Sequence, residues 1–308
     1  MDYHIPVMAE EVLRYWYQSP EGIYVDCTMG GGGHSRLMLE KINAKGSLYA
    51  FDRDPEAIEH CANSLSKHPG LHLVHSPFSE IANHLPQNSV TGILWDLGVS
   101  SRQLESPHRG FSHRYSEHVD LRMNPQHGID ARSWILATEE KEVARAFRDN
   151  ADLDRTKPLT IALKQHLAQS TEFLMTDLQK VVEEVYRVKN PDRCESLLSR
   201  ILQSIRMELN RELAEIAQSL EQGIKALAPG GRLVVITFHS VEDRVVKRAF
   251  VDMEKSCICP ERQPICNCGG KHSQGVRVLR KPLSASPEEL KRNRRSRSAR
   301  LRVFQKGA

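Results

Sequence analysis

Four consecutive glycines, Gly30 to Gly33, follow Val25-Asp26-Cys27-Thr28-Met29 and lead directly into His34 and Ser35. Glycines in such a run permit positive backbone dihedrals and let a ligand lie against the main chain. A helix starting there offers free N–H groups and a positive dipole end, suited to a carboxylate or a phosphate. Two familiar phosphate-binding patterns are not fully matched. With Gly30 and Gly32 as the first two glycines of a dinucleotide fingerprint, Ser35 stands where the third is required. No Gly-Lys-Ser/Thr follows, so this is not a P-loop. Asp52, about twenty residues on, is placed to accept both hydroxyls of a ribose. An adenosine-containing ligand without a pyrophosphate satisfies these constraints, and S-adenosylmethionine is the natural choice. The Leu227-Ala228-Pro229-Gly230-Gly231 stretch, common in enzymes that use it, agrees.

Each of these residues also has a purely structural reading. Asp26 and Asp52 are strand-end carboxylates that can cap helices, His34 can cap or pack, and Phe78 can belong to the core. His239 and Ser240, followed by Glu242 and Asp243, admit a hydrolase triad on paper, but the Gly-x-Ser-x-Gly elbow is missing. Cys257-x-Cys259 and Cys266-x-Cys268 form a compact group with His272 nearby. Four cysteines can bind zinc tetrahedrally, but Cys-x-Cys pairs are less diagnostic than Cys-x-x-Cys pairs. The expectation is a loop of reduced thiols, with no metal ligand assigned and no catalytic metal.

The elements that must position these residues read as an α/β sheet. Residues 23–28, 48–52, 71–75, 92–96 and 232–238 are short, rich in Val, Ile, Leu and Tyr, and end in polar residues or glycine. Helix-length segments such as 34–42 and 55–65 alternate with the first four, and Pro55 suits a first helical turn. That alternation implies a parallel sheet with helices on both faces and a ligand at the carboxyl ends of its strands. From about residue 109 to 209 the pattern turns helical, clearest over 139–148, 176–186 and 195–209. A helical domain is therefore expected as an insert, 109–209, between the sheet-forming parts 1–108 and 210–308. Residues 276–281 and 301–305 could add two last strands, and the basic run 291–302 is either a mobile tail or a strand lead-in.

Composition sets the class. The chain has 308 residues, 40% hydrophobic and 27% charged, enough for one full core and a satellite domain. Aromatics are only 6%, so no platform for stacking many bases stands out. The net charge of +4 is mild, but from Lys291 onward there are eight Lys or Arg and no acid. No stretch reaches the roughly 20 apolar residues of a membrane span, and the start lacks the basic and apolar regions of a secretory signal. An odd seven cysteines suits a reducing cytoplasm better than a disulfide framework, so a cytoplasmic protein with no membrane partner is expected.

Eight motifs in order resemble one family. They are His4-Ile5-Pro6-Val7, Gly31-Gly32-Gly33-His34-Ser35, Asp52-Arg53-Asp54-Pro55, Asp96-Leu97-Gly98-Val99-Ser100-Ser101, Arg109-Gly110-Phe111-Ser112, Asp120-Leu121-Arg122-Met123, Phe238-His239-Ser240-Val241-Glu242-Asp243-Arg244 and Arg297-Ser298-Ala299-Arg300-Leu301-Arg302. Over nearly the whole chain they resemble the bacterial 16S rRNA cytidine N4-methyltransferases, the MraW or RsmH family. The resemblance implies a Rossmann-like class I S-adenosylmethionine-dependent methyltransferase sheet with an inserted α-helical substrate-recognition domain. It implies cofactor contacts from Gly32, Gly33, His34, Asp52, Phe78, Asp96 and Gln103, and a target cytidine in the decoding region of 16S rRNA in the small ribosomal subunit. A homodimer is left open.

Two stretches of the insert depart from the family: Asn150-Ala151-Asp152-Leu153-Asp154 replaces a Tyr-Gly-Glu-Glu-Arg-like run, and Ser196-Leu197-Leu198-Ser199-Arg200 replaces His-Pro-Ala-Thr-Arg. Gln203, Arg206 and Asn210 match. The implied reaction needs help at nitrogen, because the cytosine amine lone pair is delocalised into the ring. Asp96, at the end of the fourth strand, is the expected acceptor for that amine and the catalytic assignment. Gly98, in place of the Pro-Pro-aromatic turn of many amino-methylating enzymes, permits close approach of a flat base. The target base must be unstacked to reach the methyl group. Competing readings are a methyltransferase for DNA cytosine or a small molecule, and a non-catalytic assembly factor that binds cofactor and RNA.

Overall fold

Apolar residues run nearly continuously along the central strands, and the pleat sends successive ones to opposite faces of the sheet. A computed structural model describes residues 6–65, 68–260, 263 and 265–308; of the first motif, His4 and Ile5 lie outside the described residues. The described residues form two compact units, one made of those up to 98 together with 213–308, the other of 99–212.

In the first unit, strands β1 (Ile23–Asp26), β2 (Ser47–Asp52), β3 (Leu71–His75), β4 (Val90–Asp96) and β5 (Leu227–Thr237) run parallel, in the spatial order β3-β2-β1-β4-β5. Antiparallel β8 (Arg300–Lys306) extends the sheet beyond β5 and pairs with β6 (Gly275–Arg277) and the short β7 (Leu283–Ser284). The pleat sends neighbouring residues to opposite faces. Leu94, Val234, Ile236, Leu301 and Val303 pack with helices α1 (Ala9–Trp16), α2 (Gly33–Leu39) and α3 (Pro55–Leu65). Ile93, Trp95, Leu233, Val235 and Phe304 pack on the other face with α10 (Glu212–Ala226) and α11 (Ser240–Glu254). Buried on both faces, such strands read as continuous apolar runs, which is why the sequence shows them. The result is a Rossmann-like doubly wound sheet.

Boundaries moved where backbone pairing, invisible in composition, extends an element. β4 starts at Val90, and β5 starts at Leu227, before the Pro-Gly-Gly, with a register shift between Val90 and Gly92 absorbing the extra residues. The first crossover helix is one residue earlier and shorter than 34–42, ending at Leu39. The basic run is a strand lead-in: α12 (Pro287–Arg292) and a 3₁₀ turn (Arg294–Ser298) deliver the chain into β8.

The second unit is helical: α4 (Ser101–Glu105), α5 (Ala131–Ala137), α6 (Glu140–Ala151), α7 (Thr156–Ala168), α8 (Met175–Tyr186) and α9 (Pro191–Leu209). α9 starts four residues before 195 because Asn190 caps it, its Oδ1 accepting the Arg193 N–H at 3.0 Å, and Pro191 takes the first helical position. Its core gathers Ile135, Phe147, Leu163, Phe173, Val182 and Ile201, all at most 1% exposed, so this unit has an apolar interior of its own. No described helix is long and apolar enough to cross a membrane.

Candidate active site

The strand order reverses between β1 and β4: the chain goes outward from β1 to β3, then returns to place β4 on the other side of β1. Crossovers on either side of that point leave a crevice beyond the strand ends, the usual ligand position in open α/β sheets. Asp26 ends β1 and Asp96 ends β4.

The glycine loop is folded from below by Asp26. Its buried carboxylate accepts the Ser35 hydroxyl at 2.7 Å and the Thr28 N–H at 3.1 Å, tying the strand end to the first turn of α2. Burial pushes its pKa up, opposed by the Ser35 hydrogen bond. Asp26 is therefore a structural brace. Thr28, which the sequence reading passed over, links the two strand ends, its Oγ1 accepting the Asp96 N–H at 2.6 Å. The available signal was a hydroxyl residue between a strand end and the glycines.

At Gly32 φ is +77°, and a Cβ would lie 2.8 Å from Leu65 Cδ1 and 2.9 Å from Cys61 Sγ. Any side chain there would push the loop off α3, so the bare backbone is a consequence of close packing below as well as room for a ligand above. Gly33 opens α2, with Pro6 side-chain atoms 3.2 Å from where its Cβ would be. Asp52 closes the loop from β2: Oδ2 accepts the Gly30 N–H at 2.8 Å and Oδ1 the Asp54 N–H at 2.9 Å. Half-buried, its pKa is pushed up to about 6 by desolvation, which the two N–H donors only partly offset.

His34 and Asp96 face one another, with Nε2 and Oδ2 3.6 Å apart, too far for a good hydrogen bond. Both ring nitrogens of His34 and Oδ1 of Asp96 are buried with no hydrogen-bond partner among the described residues. Buried polar atoms are nearly always satisfied, and leaving one unpaired costs about 1–3 kcal/mol. Three such atoms together at the strand-order reversal are what a polar ligand would complete. Phe78, in the 3₁₀ turn after β3 (Phe78–Asn83), is partly buried against the core, with the Arg53 guanidinium 5.9 Å from its ring centroid. Arg53 is in turn held by Glu215 at 2.9 Å.

Gln103 belongs to the second unit, in α4. Its Oε1 accepts the Ser100 N–H at 3.0 Å while Ser100 Oγ accepts the Gln103 N–H at 3.2 Å, a reciprocal capping box. Its amide oxygen is thus engaged in holding a helix start. His239 and Glu242 form a similar box at the start of α11, where Glu242, fully buried, accepts the Phe238 N–H at 3.0 Å. That arrangement is a helix cap, and no nucleophile elbow accompanies it.

The whole chain also matches known proteins. A family model described as the MraW methylase family covers residues 1–307. "Ribosomal RNA small subunit methyltransferase H" of Caldicellulosiruptor saccharolyticus is 40% identical over 306 residues, 98% of this chain and 99% of that one. The protein of the same name from Heliobacterium mobile is 37% identical over 309 residues, 99% of each chain. That from Fusobacterium nucleatum is 36% identical over 310 residues, 99% of this chain and 97% of that one.

Proposed function

The chain belongs to the MraW methylase family, and from that membership we propose that it uses S-adenosylmethionine to methylate the N4 amine of a cytidine in the decoding region of 16S rRNA in the small ribosomal subunit. It is an enzyme, an rRNA (cytidine-N4-)-methyltransferase, and we place its work in the cytoplasm. The observation that supports this site most is the group of unpaired buried atoms, Asp96 Oδ1 and both His34 ring nitrogens, beside a glycine loop.

The residues fit the cofactor. Asp52 has lone pairs left after its two N–H donors and would accept the ribose hydroxyls. Gly32 and Gly33 would let the cofactor lie on the main chain, His34 and Asp96 would meet its polar end, and Phe78 would flank the adenine. When bound, S-adenosylmethionine supplies a sulfonium-activated methyl group.

The chain's own contribution is at nitrogen. Asp96 accepts a hydrogen bond from the cytosine amine, which draws the lone pair out of the ring and steadies the positive charge that grows on nitrogen. Neither carboxylate oxygen is spent on a close partner: Oδ1 is buried without a hydrogen bond among the described residues and Oδ2 stands 3.6 Å from His34 Nε2. The helical insert 109–209 serves as the RNA-recognition domain in this reading, with methyltransferase parts 1–108 and 210–308 around it.

Small subunits purified from a strain lacking the gene, incubated with the protein and methyl-labelled cofactor, should gain label on one 16S cytidine, located at N4 by nuclease mapping and mass spectrometry. Label on another base, or none, overturns the assignment.

A further inference from the structure

Between α11 and β6 the chain leaves the sheet and returns, closed at its neck by the Gln274 N–H donating to the Met253 carbonyl at 2.8 Å and the His272 N–H to the Ser256 carbonyl at 3.0 Å. Beyond that neck lie Cys257, Cys259, Cys266 and Cys268. We propose that these four cysteines bind a single zinc ion as a closed structural site.

The geometry of the sulfurs carries the proposal. Cys257 and Cys266 Sγ are 3.6 Å apart, Cys266 and Cys268 3.5 Å, and Cys268 and Cys257 3.6 Å. All four sulfurs lie within 4.8 Å of one another. A tetrahedron of thiolates around zinc, with Zn–S of about 2.3 Å, has edges of about 3.8 Å. A disulfide needs about 2.05 Å and joins sulfurs in twos, whereas here three sulfurs are mutually near-equidistant. A multi-iron cluster would spread its thiolates over several metals and hold some of them much farther apart.

The surrounding backbone suits charged sulfur. The Ile258 N–H points to Cys268 Sγ and the Asn267 N–H to Cys259 Sγ, each at 3.4 Å. Such donors stabilise thiolates and orient ligands around a metal. His272 is turned away, its Nε2 donating to the Cys268 carbonyl at 2.8 Å, so the ligand set is four thiolates with no open position for catalysis. This proposal departs from the loop of reduced thiols expected from the spacing alone.

There is also a need for such a tie. Ile258 and Ile265 are 64% and 75% exposed, so the described residues of this loop gather no apolar core around them. Small substructures lacking a core are commonly fixed by a metal or disulfides. Binding would release the four thiol protons to solvent as four Zn–S bonds form and the ion sheds its water. Cys27, Cys61 and Cys194 are buried elsewhere and serve as internal controls.

Full-length untagged protein should contain one zinc per chain by plasma mass spectrometry, released on mercurial titration of four thiols. Cobalt exchange should give thiolate charge-transfer bands and the intense d–d bands of tetrahedral cobalt. Cys259→Ser and Cys268→Ser should lose the metal, with hydrogen exchange rising over residues 255–274 and the circular dichroism of the rest kept. Cys194→Ser should retain it. The proposal fails if the purified protein carries four freely reactive thiols and no metal, if these cysteines are joined as disulfides, or if zinc persists after all four become serine.

Discussion

Asp52 gives one carboxylate oxygen to the Gly30 N–H and the other to the Asp54 N–H, yet desolvation still pushes its pKa up to about 6. The neighbouring Asp54 and Asp26 carboxylates add repulsion. Ribose hydroxyls donate to the ionised form, so cofactor binding should strengthen as pH rises through about 6 and weaken below it, where the proton occupies an acceptor lone pair. Titration calorimetry with S-adenosylhomocysteine between pH 5 and 8 checks this, and Asp52→Asn should flatten the profile. Asp52→Ala should lose about 1.5–3 kcal/mol, a ten- to hundredfold weaker affinity. A folded mutant with parental affinity rules out the ribose role. For Asp96, the Asn variant keeps an acceptor oxygen but removes the charge. Single-turnover methylation should fall by about 10²-fold, by far more than cofactor affinity. Rate and affinity falling together would move its role to the cofactor, and parental values for both would make it a structural cap.

Several of the recognisable motifs work as joints between elements. Asp243, in the first turn of α11, pairs with Arg302 of β8 through two hydrogen bonds, 2.7 and 2.9 Å, and Arg300 stands 3.5 Å away. Burial alone would raise the Asp243 pKa, but the two guanidiniums outweigh it and hold the carboxyl below its usual range. Its unfolded pKa lies near 3.9, so this stabilisation is present above about pH 4 and is lost as pH falls through the lower folded value. Arg302→Gln should cost up to about 3 kcal/mol by leaving the Asp243 carboxylate with only the exposed Arg300, 3.5 Å away, seen as a lower urea midpoint. In the helical unit, Gly110 has φ +70°, and a Cβ would lie 2.6 Å from Val119 Cα and 2.7 Å from the His118 carbonyl oxygen. Those neighbours are backbone and cannot swing away, so Gly110→Ala should cost about 3 kcal/mol from the unfavourable φ plus overpacking. An unchanged denaturation midpoint would refute this. Asn210 bonds the Leu121 carbonyl and the Met123 N–H, both at 2.8 Å, and Arg206 pairs with Glu212 in the interior. The stretch that departs from the family pattern is built into the same scaffold, Asn150 donating to Glu208 at 2.7 Å and Arg200 to the Ala151 carbonyl at 2.8 Å.

Across the whole molecule, a net charge of only +4 conceals an end with eight bases and no acid. The structure divides those bases by task. Arg302 is buried in its pair with Asp243, while Lys291, Arg294 and Arg297 are exposed. Only the exposed ones are available to phosphates. Replacing Lys291, Arg294 and Arg297 together with Gln should weaken RNA binding without changing which cytidine is modified. The slope of log affinity against log salt should fall by roughly 2–3, since each phosphate contact contributes about 0.7–0.9. An unchanged slope would leave these residues as solvated surface.

Local chemistry was readable from the chain because it depends on neighbours in sequence. The glycine run, the strand-end Asp26, Asp52 and Asp96, and the apolar strands buried on both faces all announce themselves in a few residues. Contacts between distant segments could not be read that way. The pleat and strand order brought His34 to 3.6 Å from Asp96, and packing against Cys61 and Leu65 made Gly32 indispensable from below. Gln103 proved to be occupied by Ser100, and the basic end enters the sheet as β8, between β5 and β6, where Arg302 pairs with Asp243. Cys257, Cys266 and Cys268 make the same point: two Cys-x-Cys pairs are ambiguous on paper, but three sulfurs set 3.5–3.6 Å apart match the edges of the proposed tetrahedral site. Periodicity records which side of an element is buried, whereas distances between side chains exist only after the chain closes on itself.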